Sequence, residues 1–301
     1  MPKSRGRKPR RAARARTGSG DPRRRQVADS GPPNLVERAA VELSAAVGGD
    51  LSDPLTLTSI PPLFLNMVVS AYIDTLPAGR CVDDCLVLAH AYAQMGMPAQ
   101  VRTVEIAVAD VVTGARDVHG SLRPLWGDGM FHGHTAVWLP DSGHLVDPTI
   151  EQYEEIAAYG DGPMIAGPGV ARGESVPPGN GVRLDVDRGF LRLTYTLATH
   201  AVSAAALDHP HVLGEGDGYF LRGVNIASEV VAMLARSRLP QETAVIPNQR
   251  LVALVDAVRA MSEVRPENGF LYFQAEQDFA GPQRLDQIPL ASGTPGPASV
   301  N

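Results

Sequence analysis

Gly79-Arg80-Cys81-Val82-Asp83-Asp84-Cys85 (GRCVDDC) follows a Pro77-Ala78-Gly79 turn and runs into the apolar stretch LVLAHAYAQM over 86–95, closed by Gly96-Met97-Pro98. The segment holds both cysteines of a chain of 301 residues. Leu86, Leu88, Ala89, Ala91 and Ala93 predict a central helix over 82–95, with Gly96 as its C-terminal cap and Pro98 blocking continuation. Cys81 then stands at the helix start, where unpaired backbone N–H groups and the positive dipole end favour a thiolate. Cys85 lies one turn inside and is expected to pack as a small apolar side chain. Helical i,i+4 geometry aims the two Cβ vectors poorly for a disulfide.

Working outward, 44% hydrophobic and 20% charged residues describe a soluble globular chain able to bury a core. Two cysteines make no disulfide framework, so a reducing compartment is expected. The basic N-terminus leads into no apolar signal region, and the most apolar run, IPPLFLNMVVSAYI, is interrupted by Pro61, Pro62 and Asn66. Neither a signal peptide nor a membrane span is expected, and the reading is cytoplasmic. The formal charge of −6 divides sharply: residues 1–25 carry eleven Lys or Arg against Asp21, a charge of +10 that leaves −16 for the rest. Residues 1–30 are expected to be a disordered basic arm. Residues 1–25 could make weak, nonspecific phosphate contacts with nucleic acid, which the acidic body would oppose.

A helical pattern runs from Asn34 to Gly48-Gly49, and a second helix is expected from Pro62 to Leu76. Beyond the Cys81 helix the period changes to two. AQVRTVEIAV over 99–108 and MFHGHTAVWL over 130–139 read as strands, and Pro140-Asp141-Ser142-Gly143 turns the second into His144-Leu145-Val146-Asp147 to make a hairpin. A short helix over 150–158 precedes a Gly/Pro-rich surface loop over 160–181, and a second hairpin turns at Asp187-Arg188-Gly189. The remainder reads as helical, clearest over 224–235 and 248–264, before a Pro/Gly/Ser tail from Gly281. The expected organisation is a basic arm over 1–30, an α+β core over 31–200, a helical extension over 201–280 and a disordered tail over 281–301. Nothing in the sequence speaks to the oligomeric state.

A reactive thiol needs a base to receive its proton and a group to orient that base. His134 and Asp147 fall on the two arms of the first hairpin and can lie side by side. His132 shares the strand face of His134 and is the rival base.

These residues resemble the transglutaminase-like cysteine enzymes of the papain-like superfold. In that family Gly-x-Cys opens a buried helix ending in Gly-Ile-Pro-Ala-Arg; here Gly79-Arg80-Cys81 leads to Gly96-Met97-Pro98-Ala99-Gln100. The family's strand motif His-Ala-Trp-Val is similar to His134-Thr135-Ala136-Val137, and its Asp-Pro-Thr is matched by Asp147-Pro148-Thr149. The resemblance covers about residues 60–150. It implies an α+β fold in which the Cys-bearing helix packs on an antiparallel sheet. It also implies thiol-dependent hydrolysis or acyl transfer on a peptide or other amide, with Cys81 as nucleophile, His134 as proton shuttle and Asp147 as its orienter, and with no cofactor or metal. Gln100 stands where the family has Arg, and Ala136 where an aromatic residue is frequent; both concern the substrate groove rather than the triad. Arylamine acetyl transfer uses the same three residue types and is the alternative chemistry. A catalytically silent binding module of the same fold is the alternative class.

Other candidates read as structural. Asp83 and Asp84 suit the first helical turn, where carboxylates favour the dipole. Trp126, in the segment GSLRPLWGDG, packs or lines a substrate path. Asp208-His209-Pro210-His211 fits no standard metal-ligand spacing, and Gly214-Glu215-Gly216-Asp217-Gly218 lacks the Lys-Ser/Thr of a phosphate loop and reads as a turn.

Overall fold

The computed structural model describes residues 41–46, 48–72, 79–159, 162–167, 172–176, 181–237, 246–275 and 281–300; the basic arm and the start of the first expected helix lie outside them. The chain is α+β. Its main sheet is antiparallel at every pairing, in the order β7 (Met164–Ala166), β6 (His144–Asp147), β5 (Thr135–Leu139), β1 (Gln100–Asp110), β10 (Leu191–Leu197), β9 (Gly181–Arg188), β8 (Arg172–Val176). The short β2 (Arg116–Gly120) also pairs with β1. Val104 explains how two strands share one edge of β1: its N–H donates to the His134 carbonyl at the start of β5, and its carbonyl accepts from Ser121 at the end of β2. Gly120 sits at that changeover with φ +74°, and a Cβ there would lie 2.3 Å from the Val104 oxygen and 2.9 Å from the His134 Cβ. Only glycine fits so close to that histidine.

The helix α2 (Cys81–Gln94) follows α1 (Pro54–Tyr72) and packs on β1 and β5. It ends as its sequence dictates: Gly96 takes φ +82°, its N–H reaches the Ala93 carbonyl at 2.9 Å, and Met97 N–H reaches that of Tyr92 at 2.9 Å. Its buried face, including Cys85, Leu88, Ala89 and Tyr92, joins Val101, Val137 and Val146 of the sheet in one hydrophobic cluster. Alternation sends Ala136, Leu145, Ile106 and Leu193 into a second cluster with Ile150 and Ile156.

Several expected elements need correction. The helix expected from Pro62 begins at Pro54 and carries Pro61 and Pro62 inside it. Pro62 has no N–H for the Thr58 carbonyl, and the Tyr92 hydroxyl donates to that oxygen at 2.6 Å instead. The strand expected over 130–139 is two: β4 (Met130–His132) pairs with β3 (Leu125–Gly127), and β5 begins after a break at Gly133-His134. A Cβ on Gly133 would meet Pro124 at 2.5 Å, so the break also depends on glycine. The stretch expected as a loop over 160–181 contributes β7 and β8.

Residues Asn34–Asn301 cluster as one unit, so the expected division at residue 200 marks no separate domain. The helix α6 (Gly216–Arg236), read in part as a glycine turn, lies against α2. A Cβ on its Gly223 would come within 2.4 Å of the His90 Cβ, which is how the two helices approach so closely. The helix expected over 248–264 ends at Arg259 and gives way to a hairpin of β11 (Glu263–Glu267) and β12 (Phe270–Gln274). The expected disordered tail is ordered through residue 300: Leu285 and Ile288 are buried, Ala298 N–H donates to the Ala93 carbonyl, and Ala99 N–H donates to that of Ser299. Among the described residues no helix is long and apolar enough to cross a membrane.

Candidate active site

Cys81 is the first residue of α2 and is buried, at 5% exposure. Cys85, one turn on, donates its thiol to the Thr135 carbonyl at 3.3 Å. Burial, aided by the Asp147 charge, pushes that second thiol well up, so it has neither the access nor the ionisation a nucleophile needs.

The break before β5 delivers His134, and the end of β6 delivers Asp147; both are fully buried. His134 Nε2 lies 2.7 Å from Asp147 Oδ2. Burial alone pulls this imidazole down. The Asp147 charge and hydrogen bond, joined by a hydrogen bond and charge from Cys81, outweigh that and push it up to about 10. Nε2 is committed to the carboxylate. The structure thus bonds His134 to Asp147 and sets Cys81 near enough to influence the ring.

Asp147 is held by two further groups. Thr149 N–H donates to Oδ1 at 3.1 Å, a turn built by the Asp-Pro-Thr sequence, and the Tyr195 hydroxyl of β10 donates to Oδ2 at 3.0 Å. After Asp147 the chain makes a 3₁₀ turn, Ile150–Gln152, before α3 (Glu154–Ala157). That turn brings Gln152 Nε2 to 2.8 Å from His134 Nδ1 and sets the Tyr153 ring edge-on to the imidazole at 5.5 Å between centroids. Sequence reading missed Tyr195, Gln152 and Tyr153. Tyr195 looked like any inward residue of an alternating strand, whereas the position of Gln152 five residues after Asp147 was a usable signal.

The two carboxylates after Cys81 play different parts. Asp83 accepts a 2.6 Å hydrogen bond from Tyr219 of α6 and lies 3.8 Å from His211 Nε2. Asp84 is buried and pairs with Arg80 at 2.6 Å, but its second oxygen has no partner. Burial pushes the Asp84 carboxyl up to about 6, against the pull of Arg80. The folded state therefore holds that proton more tightly than the unfolded chain. Stability is lost as pH rises from the ordinary 3.8 through about 6. Asp84→Asn should stabilise the protein by about 2–3 kcal/mol at pH 7 and by nearly nothing at about pH 3, as read by urea denaturation at the two pH values.

Trp126 packs against the cluster that contains Cys81, donates Nε1–H to the Ala206 carbonyl at 2.9 Å, and stacks on His209 with ring centroids 4.0 Å apart. The Asp208-His209-Pro210-His211 segment uses its histidines this way: the His209 ring covers Trp126, and its Nδ1 accepts from His211 N–H as a cap of α5 (Pro210–Gly214). His132 is exposed in β4 opposite Leu125 and makes no contact with Asp147 among those described. Asp117, His119 and Glu155 bring potential metal-ligand atoms within 4.8 Å of one another. His119 is hydrogen-bonded to Glu155 and stacked on Tyr153, which accounts for the grouping without an ion. No family model, no curated protein and no solved structure matches the chain, so the site stands on its own geometry.

Proposed function

We propose that the chain is a thiol-dependent acyl enzyme with a transglutaminase-like arrangement of the papain-like fold, acting on a peptide or other amide. The observation that carries this reading is the buried His134, bonded through Nε2 to Asp147, with the Cys81 thiol at a helix N-terminus near enough to help raise the ring. The fold supports it: a helix opening on cysteine lies on an antiparallel sheet whose adjacent strands carry the histidine and the aspartate.

In the reaction, Cys81 gives its S–H proton to His134 Nδ1 as the sulfur bonds to the carbonyl carbon and the C=O π pair moves onto oxygen. Collapse of the tetrahedral intermediate restores C=O and breaks the bond to the leaving amine, which takes the proton from Nδ1 and departs. A thioester remains. Water then attacks the thioester carbon and gives a proton to Nδ1; the C–S bond breaks, and the proton returns to sulfur. An amine in place of water gives acyl transfer. Asp147 holds the ring tautomer and stabilises the imidazolium throughout. The basic segment over 1–25 would add only nonspecific, salt-sensitive phosphate contacts.

The test is acyl-enzyme trapping with p-nitrophenyl acetate followed by peptide mass spectrometry. One acetyl group on the Cys81 peptide, released by hydroxylamine, is the expected result. Acetylation elsewhere, or none, contradicts it. Acetylation of arylamines only in the presence of acetyl-CoA would assign the acetyltransferase chemistry, and an inert protein would be a binding module.

A further inference from the structure

We propose that the cavity at the C-terminal end of α2 is a second binding site, one that takes a small monocarboxylate with an apolar body and holds its charge on Arg250. It lies at the opposite end of the helix from Cys81, about 20 Å away along 14 residues, and is independent of the thiol chemistry.

The cavity encloses about 570 Å³, a size suited to a small molecule, and Leu57, Met97 and Leu139 give it an apolar wall. The helix α7 (Gln249–Arg259) begins in its lining. Asn248 caps that helix, its Oδ1 accepting from Leu251 N–H at 3.1 Å, which leaves the N–H groups of Gln249 and Arg250 without helical partners. Gly96 makes the approach of α7 to α2 possible: a Cβ there would lie 2.9 Å from the Arg250 Cβ and 3.1 Å from Asn248 Oδ1.

Arg250 is only 7% exposed, yet no carboxylate among the described residues pairs with it. Its Nε donates to the Gln94 carbonyl at 2.6 Å and its Nη1 to the Pro295 carbonyl at 2.9 Å. Those bonds cap α2 and tie down the C-terminal segment. The end of a helix offers only about half a negative charge, however, and a buried full charge calls for an anion. Burial pulls the guanidinium pKa down, with no carboxylate to offset it. Nη2 makes no hydrogen bond among the described residues, and it keeps accessible surface, unlike the sealed polar atoms of the core. Arg102 is the contrast. It too is buried without a carboxylate, but all three of its nitrogens donate, to the Ala198 carbonyl and Gln100 Oε1, and it stands outside this cavity.

A ligand carboxylate supplies what Arg250 lacks: an anion for the guanidinium and an acceptor for Nη2. The first-turn N–H groups and positive dipole end of α7 add to the attraction. Asp141, an exposed member of the same lining, repels a second negative charge and so favours a monoanion over a dianion.

Isothermal titration calorimetry of the full chain with 4-phenylbutanoate tests the site. One equivalent should bind with a Kd of about 1 mM or tighter. The neutral isostere 4-phenylbutanamide should bind at least about 10-fold more weakly, and the dianion phenylsuccinate more weakly than the monoanion. Arg250→Gln should weaken the acid by about 10-fold or more and remove its advantage over the amide. That substitution also uncaps α2, so Ser142→Trp gives an independent check: it fills the cavity from a half-buried turn position and should abolish binding with the melting temperature little changed. No saturable binding of 4-phenylbutanoate, equal affinity of the wild type for acid and amide, a dianion bound more tightly than the monoanion, or undiminished binding to Ser142→Trp would overturn the proposal.

Discussion

Cys81→Ser is expected to lower turnover of p-nitrophenyl acetate by about 10⁴-fold or more and to leave the fold intact, whereas Cys85→Ala is expected to keep turnover and lose stability. The two cysteines are one helical turn apart, and the contrast comes from where each sulfur points. Cys81 stands at the helix start, near enough to the His134 ring for its charge to help raise the imidazole. Serine fits the same space, but its far weaker acidity leaves no anion for His134 to stabilise. Cys85 is fully buried among Leu88, Tyr92 and Val137, with its S–H on the Thr135 carbonyl. Truncating it costs on the order of 1–2 kcal/mol of packing and one weak hydrogen bond, and touches no reacting atom. Denaturant melts and steady-state rates on both variants check the pair; equal loss of turnover in both would contradict the assignment.

Asp147→Asn is the second large effect, and it falls on stability and rate together. Asp147 accepts from His134, Tyr195 and Thr149, and its charge is the main attraction that lifts the imidazole above its ordinary range. An asparagine can turn its NH₂ toward Nε2, which forces the ring into the wrong tautomer; a loss of about 10⁴-fold in turnover is expected. Breaking a buried pair by removing one partner also costs about 3–5 kcal/mol. The pH window follows from the sign of the shift. His134 is raised from 6.5 to about 10 in the folded protein, so its contribution is complete below about 6.5 and fades as pH rises toward 10. The stability gap between wild type and Asp147→Asn should therefore narrow between those values. A gap that widens with pH would rule out the paired imidazolium.

The helix α2, both sheet hairpins and the positions of Cys81, His134 and Asp147 were legible because each is written locally. An apolar run closed by glycine and proline, alternation around tight turns, and short motifs in order need no knowledge of distant contacts. What escaped depends on such contacts. The break at Gly133 interrupts no alternation and shows only as a close approach to Pro124. The prolines of α1 read as a helix start because the Tyr92 hydroxyl that satisfies the freed carbonyl lies 34 residues away. The segment after residue 259 read with the helical remainder, whereas it forms β11, which tolerates Pro266 because a missing donor costs little in a two-stranded hairpin. The tail from Gly281 has the composition of a disordered segment, but its backbone pairs with the end of α2, and its Pro295 carbonyl accepts from Arg250. In the site itself, Tyr195 reaches Asp147 from β10, and no local pattern announces that role.

The pH profile of Cys81 alkylation by iodoacetamide, measured on wild type and on His134→Gln between about pH 5 and pH 9, tests the shared proton most directly. Glutamine retains a donor for Asp147 but offers no base. Wild type should react faster than the variant on the acid side of the profile, because only wild type offers a base for the thiol proton. Superimposable profiles would show that Cys81 and His134 exchange no proton, and the proposed chemistry would fall with them.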